Sequence, residues 1–234
     1  MSKAEQAYAL LRRDLLDARL APHHALTIAS LKQRYDLGWT PLREALSRLE
    51  RERLVTFAPN RGYRVAGVSG AELLDLQKAR RAIEPALLRE SIERGDQAWE
   101  QRVVAAHHAL KRARPLRLRM AEAELSRWEA SHEAFHRALV GGGESPWLLR
   151  FFDQVHDQLH RHHRILVLAG AMRPDGNGGD AARQRILSHA SSLAHHARLM
   201  EAALARDGAT ALRLLDEHIG FTLGAYEALN PEEG

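Results

Sequence analysis

Residues 40–65 read TPLREALSRLERERLVTFAPNRGYRV, and this stretch decides the fold of the first third of the chain. Thr40 is a helix-capping residue type. Pro41 suits the first helical position, where its missing N–H would be unpaired in any case, and Arg43 and Glu44 fill the first turn. Leu42, Ala45, Leu46 and Leu49 recur at helical spacing and predict one buried stripe, which leaves Thr40, Arg43, Ser47 and Arg48 facing outward. Beyond the helix, LVTFA (54–58) and YRVAG (63–67) flank Pro59-Asn60-Arg61-Gly62, a pattern that predicts a two-stranded β-hairpin with Arg61 at its tip.

Upstream, residues 4–19 place Tyr8, Leu11, Leu15 and Leu16 on one helical face, with Pro22 as the expected stop. Thr27–Tyr35 reads as a short second helix carrying Ile28, Leu31 and Tyr35, and Asp36-Leu37-Gly38-Trp39 as a tight turn. Helix, turn, capped helix and hairpin form a helix-turn-helix with a wing. The helix starting near Thr40 can then offer its first turn to a major groove, while Arg61 suits a phosphate or a narrow minor groove.

Charge supports a nucleic-acid surface. The chain has 234 residues, a formal net charge of +4, and 45% hydrophobic against 27% charged residues, which excludes disordered and fibrous classes. A boundary falls at Gly67-Val68-Ser69-Gly70, where Ser69 and Glu72 spell a capping box before a long helical pattern. Residues 1–69 hold 12 basic and 7 acidic side chains, a net of +5, while residues 70–234 carry a net of −1. The expected domains are therefore a basic winged module over 1–69 and a larger neutral one over 70–234. Cysteine is absent, excluding disulfide and thiolate chemistry and favouring a reducing cytoplasm. The longest apolar run, Ile165–Met172, is less than half of the roughly 20 residues a membrane span needs. The charged N-terminus has no signal-peptide core, so no membrane partner is expected.

Residues 70–234 read as helical throughout, with breaks near Gly95-Asp96, Arg114-Pro115, Gly141–Gly143, Pro174–Gly179 and Asp207-Gly208 that divide them into about six helices. The predicted fold is mostly α: a winged helix-turn-helix followed by an all-helical antiparallel bundle. Its chemistry rests on histidine, of which the chain has 14. His132 and His136, four apart, point the same way on a helix and can chelate one ion. His196 and His218 are equidistant from residue 207, so an antiparallel hairpin turning there brings them level. Together the four would form an all-imidazole site inside a bundle, suited to a divalent transition metal such as Zn or Ni. The remaining ten histidines are expected mostly at the surface.

His132-Glu133-Ala134-Phe135-His136 also spells H-E-x-x-H, which supports an alternative: a metal-dependent hydrolase with Glu133 as general base. The sequence after His136 lacks the further ligands of such enzymes, and that reading leaves the basic winged module unexplained.

TPLREALSRLERERLVTFAPNRGYRV and the upstream ARLAPHHALTIASLKQRYDLG resemble the winged helix-turn-helix of GntR-type bacterial regulators. The resemblance implies DNA contacts at Thr40, Arg43 and Arg61, with Arg48 as a further candidate. Trp39 stands where the family usually carries a base-reading arginine. ARRAIEPALLRESIERG, HEAFHRAL, HARLMEAALARDG and EHI resemble the effector-binding FCD domain of the FadR branch, nearest to members that repress glutarate and 4-aminobutyrate catabolism. That domain holds a metal through one Asp and three His. His136, His196 and His218 match the three histidines, and His132 occupies the Asp position. Arg80 matches a family arginine, and the resemblance puts Arg161 on a helix lining the ligand cavity. It implies a homodimer that binds a pseudo-palindromic operator and responds to a small carboxylate held by the metal and these arginines, acting as a repressor rather than an enzyme.

Overall fold

The computed structural model describes residues 1–169 and 179–230, which fall into two compact units. The first comprises Met1–Leu73 with Asp157–Leu166. Helix α1 (Lys3–Leu16) opens with a capping box. The Ser2 hydroxyl accepts from the Glu5 amide at 3.1 Å, and the Ser2 amide donates to the Glu5 carboxylate at 2.7 Å. It ends before Pro22, because Asp17 closes it and Ala18 turns the chain with φ of 54°. Helix α2 (Ile28–Tyr35) is capped by Thr27 and closed by Asp36 in the left-handed region.

Helix α3 (Trp39–Arg51) starts one residue earlier than expected. Gly38 is its N-cap and Thr40 lies inside the first turn, so Thr40 is not the cap. Pro41 remains harmless there, since the first turn's amides have no intrahelical partner. Leu42, Ala45, Leu46 and Leu49 are buried as read, against Leu11, Leu15 and Leu31.

The wing is a three-stranded sheet rather than a two-stranded hairpin. Strands β2 (Val55–Ala58) and β3 (Gly62–Val65) pair antiparallel from Val55↔Val65 to Ala58↔Gly62, and β1 (Ala25–Leu26) adds to the other side of β3. Two residues are too few to show a strand's alternation in sequence. The turn between β2 and β3 needs left-handed backbone at Asn60 (φ 65°) and Gly62 (φ 68°), and glycine supplies it without strain.

Residues 157–166 belong to this unit through specific bonds. The Gln158 amide donates to the Glu52 carbonyl at 2.9 Å. Arg161 donates to the Ala66 carbonyl at 2.7 Å and to the Gln158 side chain at 2.9 Å.

The second unit spans Leu74–His156 and the residues from Val167 onward. Across the chain the helices continue as α4 (Gly70–Arg94), α5 (Gln97–Arg112), α6 (Glu122–Leu139), α7 (Pro146–His162, extended by a π-helical turn over His163–Leu168), α8 (Asp180–Ala190), α9 (Leu193–Leu204) and α10 (Gly208–Leu229). Ser69 accepts from the Glu72 amide at 3.1 Å at the start of α4. Seven helices are present among the described residues where about six were expected, because Ser191 and Ser192 separate α8 from α9. The expected break at Pro174–Gly179 lies, apart from Gly179, outside the described residues.

Leu87, Leu88, Trp99, Val103, Phe135, Phe152, Leu199, Leu214 and Ile219 share one core. The turn into α5 depends on Gly95: a Cβ there would lie 2.3 Å from the Trp99 ring and 2.5 Å from the Ser91 carbonyl. Trp99 in turn donates its indole N–H to the Ala138 carbonyl at 3.0 Å, tying α5 to the end of α6. Helices α9 and α10 pack together across Asp207, which caps α10 by accepting from the Thr210 amide at 3.0 Å. Among the described residues no helix is long and apolar enough to cross a membrane.

Candidate metal centre and nucleic-acid interface

The N-terminal end of α3 exposes Trp39, Thr40 and Arg43. Trp39 is 52% exposed, unusual for so large an apolar side chain, and the Arg43 guanidinium lies over its ring at 5.0 Å. Arg48, also exposed, is engaged within the unit: it lies 3.6 Å from the Tyr8 ring centroid and pairs with Glu52 at 3.6 Å. Arg61 is exposed in the β2–β3 turn, as its place at a wing tip requires.

In the helical unit, His132 and His136 come from α6, His196 from α9 and His218 from α10. Each offers a ring nitrogen, and these four atoms lie within 4.8 Å of one another. The i, i+4 spacing brings the two α6 nitrogens to 3.2 Å, and the α9–α10 hairpin brings the rings of His196 and His218 to 4.7 Å. The rings of His136 and His218 stack at 4.5 Å. Three of the four are buried and His132 is half-buried, its ring stacked on Trp128 at 4.8 Å.

Burial pushes His136 and His218 well below the usual histidine range, and neighbouring imidazoles together with Arg80 push the same way. His196 is pushed down to about 4, again chiefly by burial. All three imidazoles are therefore neutral at pH 7 and hold a free lone pair. The His196 Nδ1–H donates to the Ser192 carbonyl at 2.7 Å, which leaves Nε2 as the lone-pair nitrogen. His196 Nε2 and His218 Nδ1 are buried and find no hydrogen-bond partner among the described residues. Neutral, clustered and lacking hydrogen-bond partners, these nitrogens fit a divalent transition-metal ion.

Glu133 is exposed, because one residue along a helix rotates the side chain about 100° away from the His132/His136 face. It cannot serve as base at the cluster, and the hydrolase alternative is set aside.

Beside the cluster lies a buried charged network. On α4, Arg80 Nε donates to Glu84 Oε1 at 2.6 Å, both side chains being buried. The same carboxylate oxygen accepts from His156 on α7, whose ring centre is 6.3 Å from that of His136. Burial alone would raise the Glu84 carboxyl, but Arg80 and His156 more than offset it and bring it to about 2. Arg80 Nη2 and Glu84 Oε2 are buried with no hydrogen-bond partner among the described residues.

Arg161 is described with the other unit. It belongs to the winged unit, where Gln158 and Ala66 take its bonds.

Two histidines expected at the surface are interior: His162 is fully buried and His195 is 6% exposed. His195 Nε2 donates to the Leu214 carbonyl at 2.9 Å, and its ring stacks against His218 at 5.8 Å. Sequence reading also missed Gln77 and His156. The signal for Gln77 was available: Gln77, Arg80 and Glu84 continue, at helical spacing, the stripe that becomes Leu87, Leu88 and Ile92.

Comparison with known proteins matches two family models along the chain. Residues 3–65 match the model of bacterial regulatory proteins of the gntR family, and residues 75–221 match the FCD domain. The chain is 36% identical to the HTH-type transcriptional repressor GlaR of Escherichia coli K12 over 216 residues, covering 91% of this chain and 90% of that protein. It is 33% identical to the HTH-type transcriptional regulator BphR of Paraburkholderia xenovorans LB400, covering 93% and 82%. In fold it resembles E. coli McbR/YncC, with a TM-score of 0.76 at 19% identity over 98% of this chain and all of that one. A GntR regulator structure from Rhodococcus sp. RHA1 gives a TM-score of 0.72, also at 19% identity, over 97% of this chain and 99% of that one. With the winged fold and the helical histidine cluster already described, these matches make the chain a member of the GntR family of DNA-binding transcriptional regulators, of the kind that carries an FCD domain.

Proposed function

We propose that the protein is a dimeric, ligand-responsive repressor in which the helical unit holds a divalent transition metal and a small carboxylate effector. The observation that carries this reading is the set of four imidazole nitrogens within 4.8 Å of one another inside the FCD-type unit. His132, His136, His196 and His218 would hold the ion, Zn or Ni by donor type, and the ion would supply a Lewis-acidic, doubly charged anchor for a carboxylate. Arg80, buried beside the cluster with a free Nη2, is placed to donate to the same carboxylate. The family resemblance names Arg161 as a further effector-binding residue, and that role belongs to the same proposal.

Two winged modules would read the halves of a pseudo-palindromic operator in the cytoplasm, with Thr40 and Arg43 at the groove, Trp39 beside them and Arg61 on the backbone or minor groove. Arg48, held over Tyr8, contributes less. Effector binding would favour one of two arrangements of the DNA-reading modules and so change operator affinity. Repression is proposed because the relative GlaR is described as a repressor. Placement in the FadR branch, near repressors of glutarate and 4-aminobutyrate catabolism, belongs to the same proposal.

The test joins metal analysis of the purified protein with operator binding by the zinc-loaded form, with and without a panel of small carboxylates. One ion per chain and an operator affinity that shifts with a carboxylate support the reading. A chain that binds no transition metal, or whose operator affinity no carboxylate alters, overturns it.

A further inference from the structure

On the inward face of α4 the polar residues Gln77, Arg80 and Glu84 interrupt a stripe that is otherwise apolar toward the helix end. Gln77 is 1% exposed, and both polar atoms of its amide, Nε2 and Oε1, find no hydrogen-bond partner among the described residues. Buried polar atoms without partners are uncommon in native proteins, and a side chain with neither atom paired is rarer still. Three residues along a helix place Gln77 and Arg80 on one face, about 5–6 Å apart at their Cβ atoms. Arg80 adjoins the histidine cluster through Glu84 and His156: it shares Glu84 Oε1 with His156, whose ring centre lies 6.3 Å from that of His136. The amide of Gln77 is thus one helical turn from the proposed carboxylate clamp.

The unpaired atoms have a definite chemistry. Gln77 Nε2 and Arg80 Nη2 are donors, whereas Gln77 Oε1 and the ionised Glu84 Oε2 are acceptors. A plain fatty acid would meet the donors through its carboxylate and leave both acceptors unmatched. A dicarboxylate adds only further acceptors. A carboxylate that also carries an O–H or N–H can satisfy both sides.

We propose that Gln77 reads the far end of the effector, and that the effector is a small carboxylate bearing a hydrogen-bond donor: a hydroxy-, amido- or amino-acid. This rests on the carboxylate reading above and narrows it.

The test uses the full-length, zinc-loaded protein and calorimetric titration with probes of matched length. The four-carbon set is butyrate, succinate, 4-hydroxybutyrate and succinamate. The five-carbon set is valerate, glutarate, 5-hydroxyvalerate and glutaramate. At the preferred length the hydroxyl- or amide-ended probe should bind about tenfold more tightly than its methyl-ended and dicarboxylate counterparts, the difference one matched buried hydrogen bond provides. In Gln77→Leu that preference should vanish, with zinc content and affinity for the methyl-ended probe within about threefold of wild type. Gln77→Met repeats the test if the leucine variant folds poorly, and the wild-type ranking decides if neither is folded.

Equal binding of all ends, a dicarboxylate preference, or a donor preference that survives in Gln77→Leu overturns the inference while leaving the carboxylate reading intact. If zinc loads and no probe of either length binds, the carboxylate reading falls and this inference falls with it.

Discussion

The Arg43 guanidinium sits 5.0 Å from the centre of the exposed Trp39 ring, so α3 presents its leading cation on an aromatic platform. In the DNA-binding proposal, Arg43→Ala should weaken binding to an operator selected from random DNA and reduce the slope of log affinity against log salt by about one. Trp39→Ala removes only the platform, worth about 0.5–1 kcal/mol at an exposed site, and should cost roughly two- to fivefold. Arg48→Ala should leave the salt slope nearly unchanged, since that side chain is held by Tyr8 and Glu52. Anisotropy titrations across a salt series separate the three. An Arg43→Ala slope equal to wild type removes Arg43 from the interface.

The histidine cluster should retain about one transition-metal ion per chain, by the donor count of a four-coordinate site. His196→Ala/His218→Ala should lose the ion and its contribution to melting temperature, read by elemental analysis and a thermal scan. Full occupancy in the double variant would exclude this donor set.

With the metal stripped, the cluster should make the protein acid-sensitive. The folded histidines resist protonation, with His196 pushed down to about 4, whereas in the unfolded chain they titrate near 6.5. Between those values the unfolded state binds more protons, so stability falls as pH drops from 6.5 toward 4. Denaturation midpoints of the chelated protein should decline across that window. A flat profile contradicts the burial.

The Arg80–Glu84 pair gives a second, lower window. With its folded carboxyl near 2, Glu84 contributes stability that is complete above the ordinary carboxylate value of 4.5 and is lost as pH falls toward 2. Glu84→Gln should shrink the stability change over that range. Arg80→Met leaves a buried carboxylate with only His156 beside it, and at pH 7 should cost about 3–5 kcal/mol by chemical denaturation. A loss under about 1 kcal/mol would mean the pair is well solvated.

Gly95→Ala should destabilise the helical unit, because the added methyl would meet both the Trp99 ring and the Ser91 carbonyl at less than contact distance. Overpacking of this kind costs about 1–3 kcal/mol, visible as a lower denaturation midpoint. Wild-type stability would show that the turn can shift.

Much of this architecture was legible because its signals are local. Leu42, Ala45, Leu46 and Leu49 mark the inner face of α3 by spacing alone, and the Asn60–Gly62 turn declares a hairpin by its residue types. The His196–His218 pairing was equally readable, since an antiparallel hairpin turning at Asp207 requires it. What escaped was non-local. Strand β1 exists only because β3 offers it an edge. Gly38 displaced Thr40 as the cap through a backbone conformation that residue type does not announce. His162 and His195 read as surface polar residues because only the packed fold brings the Glu72 carboxylate and the Leu214 carbonyl to their Nε2 atoms. The inward position of Gln77 was legible from the stripe, but that neither of its amide atoms finds a partner among the described residues emerges only from the packing.

In the metal proposal His132 would supply a fourth uncharged imidazole donor, where the family resemblance has a carboxylate. None of the four would offset the charge of a divalent ion, so an anion entering the site would meet that charge in full. The converse matters for signalling: without the ion, the Arg80 charge is already matched by Glu84, and little attraction for an anion remains. In information terms the site would act as a coincidence detector. It would report a metabolite only in a cell that also has metal to spare, combining two inputs in one output.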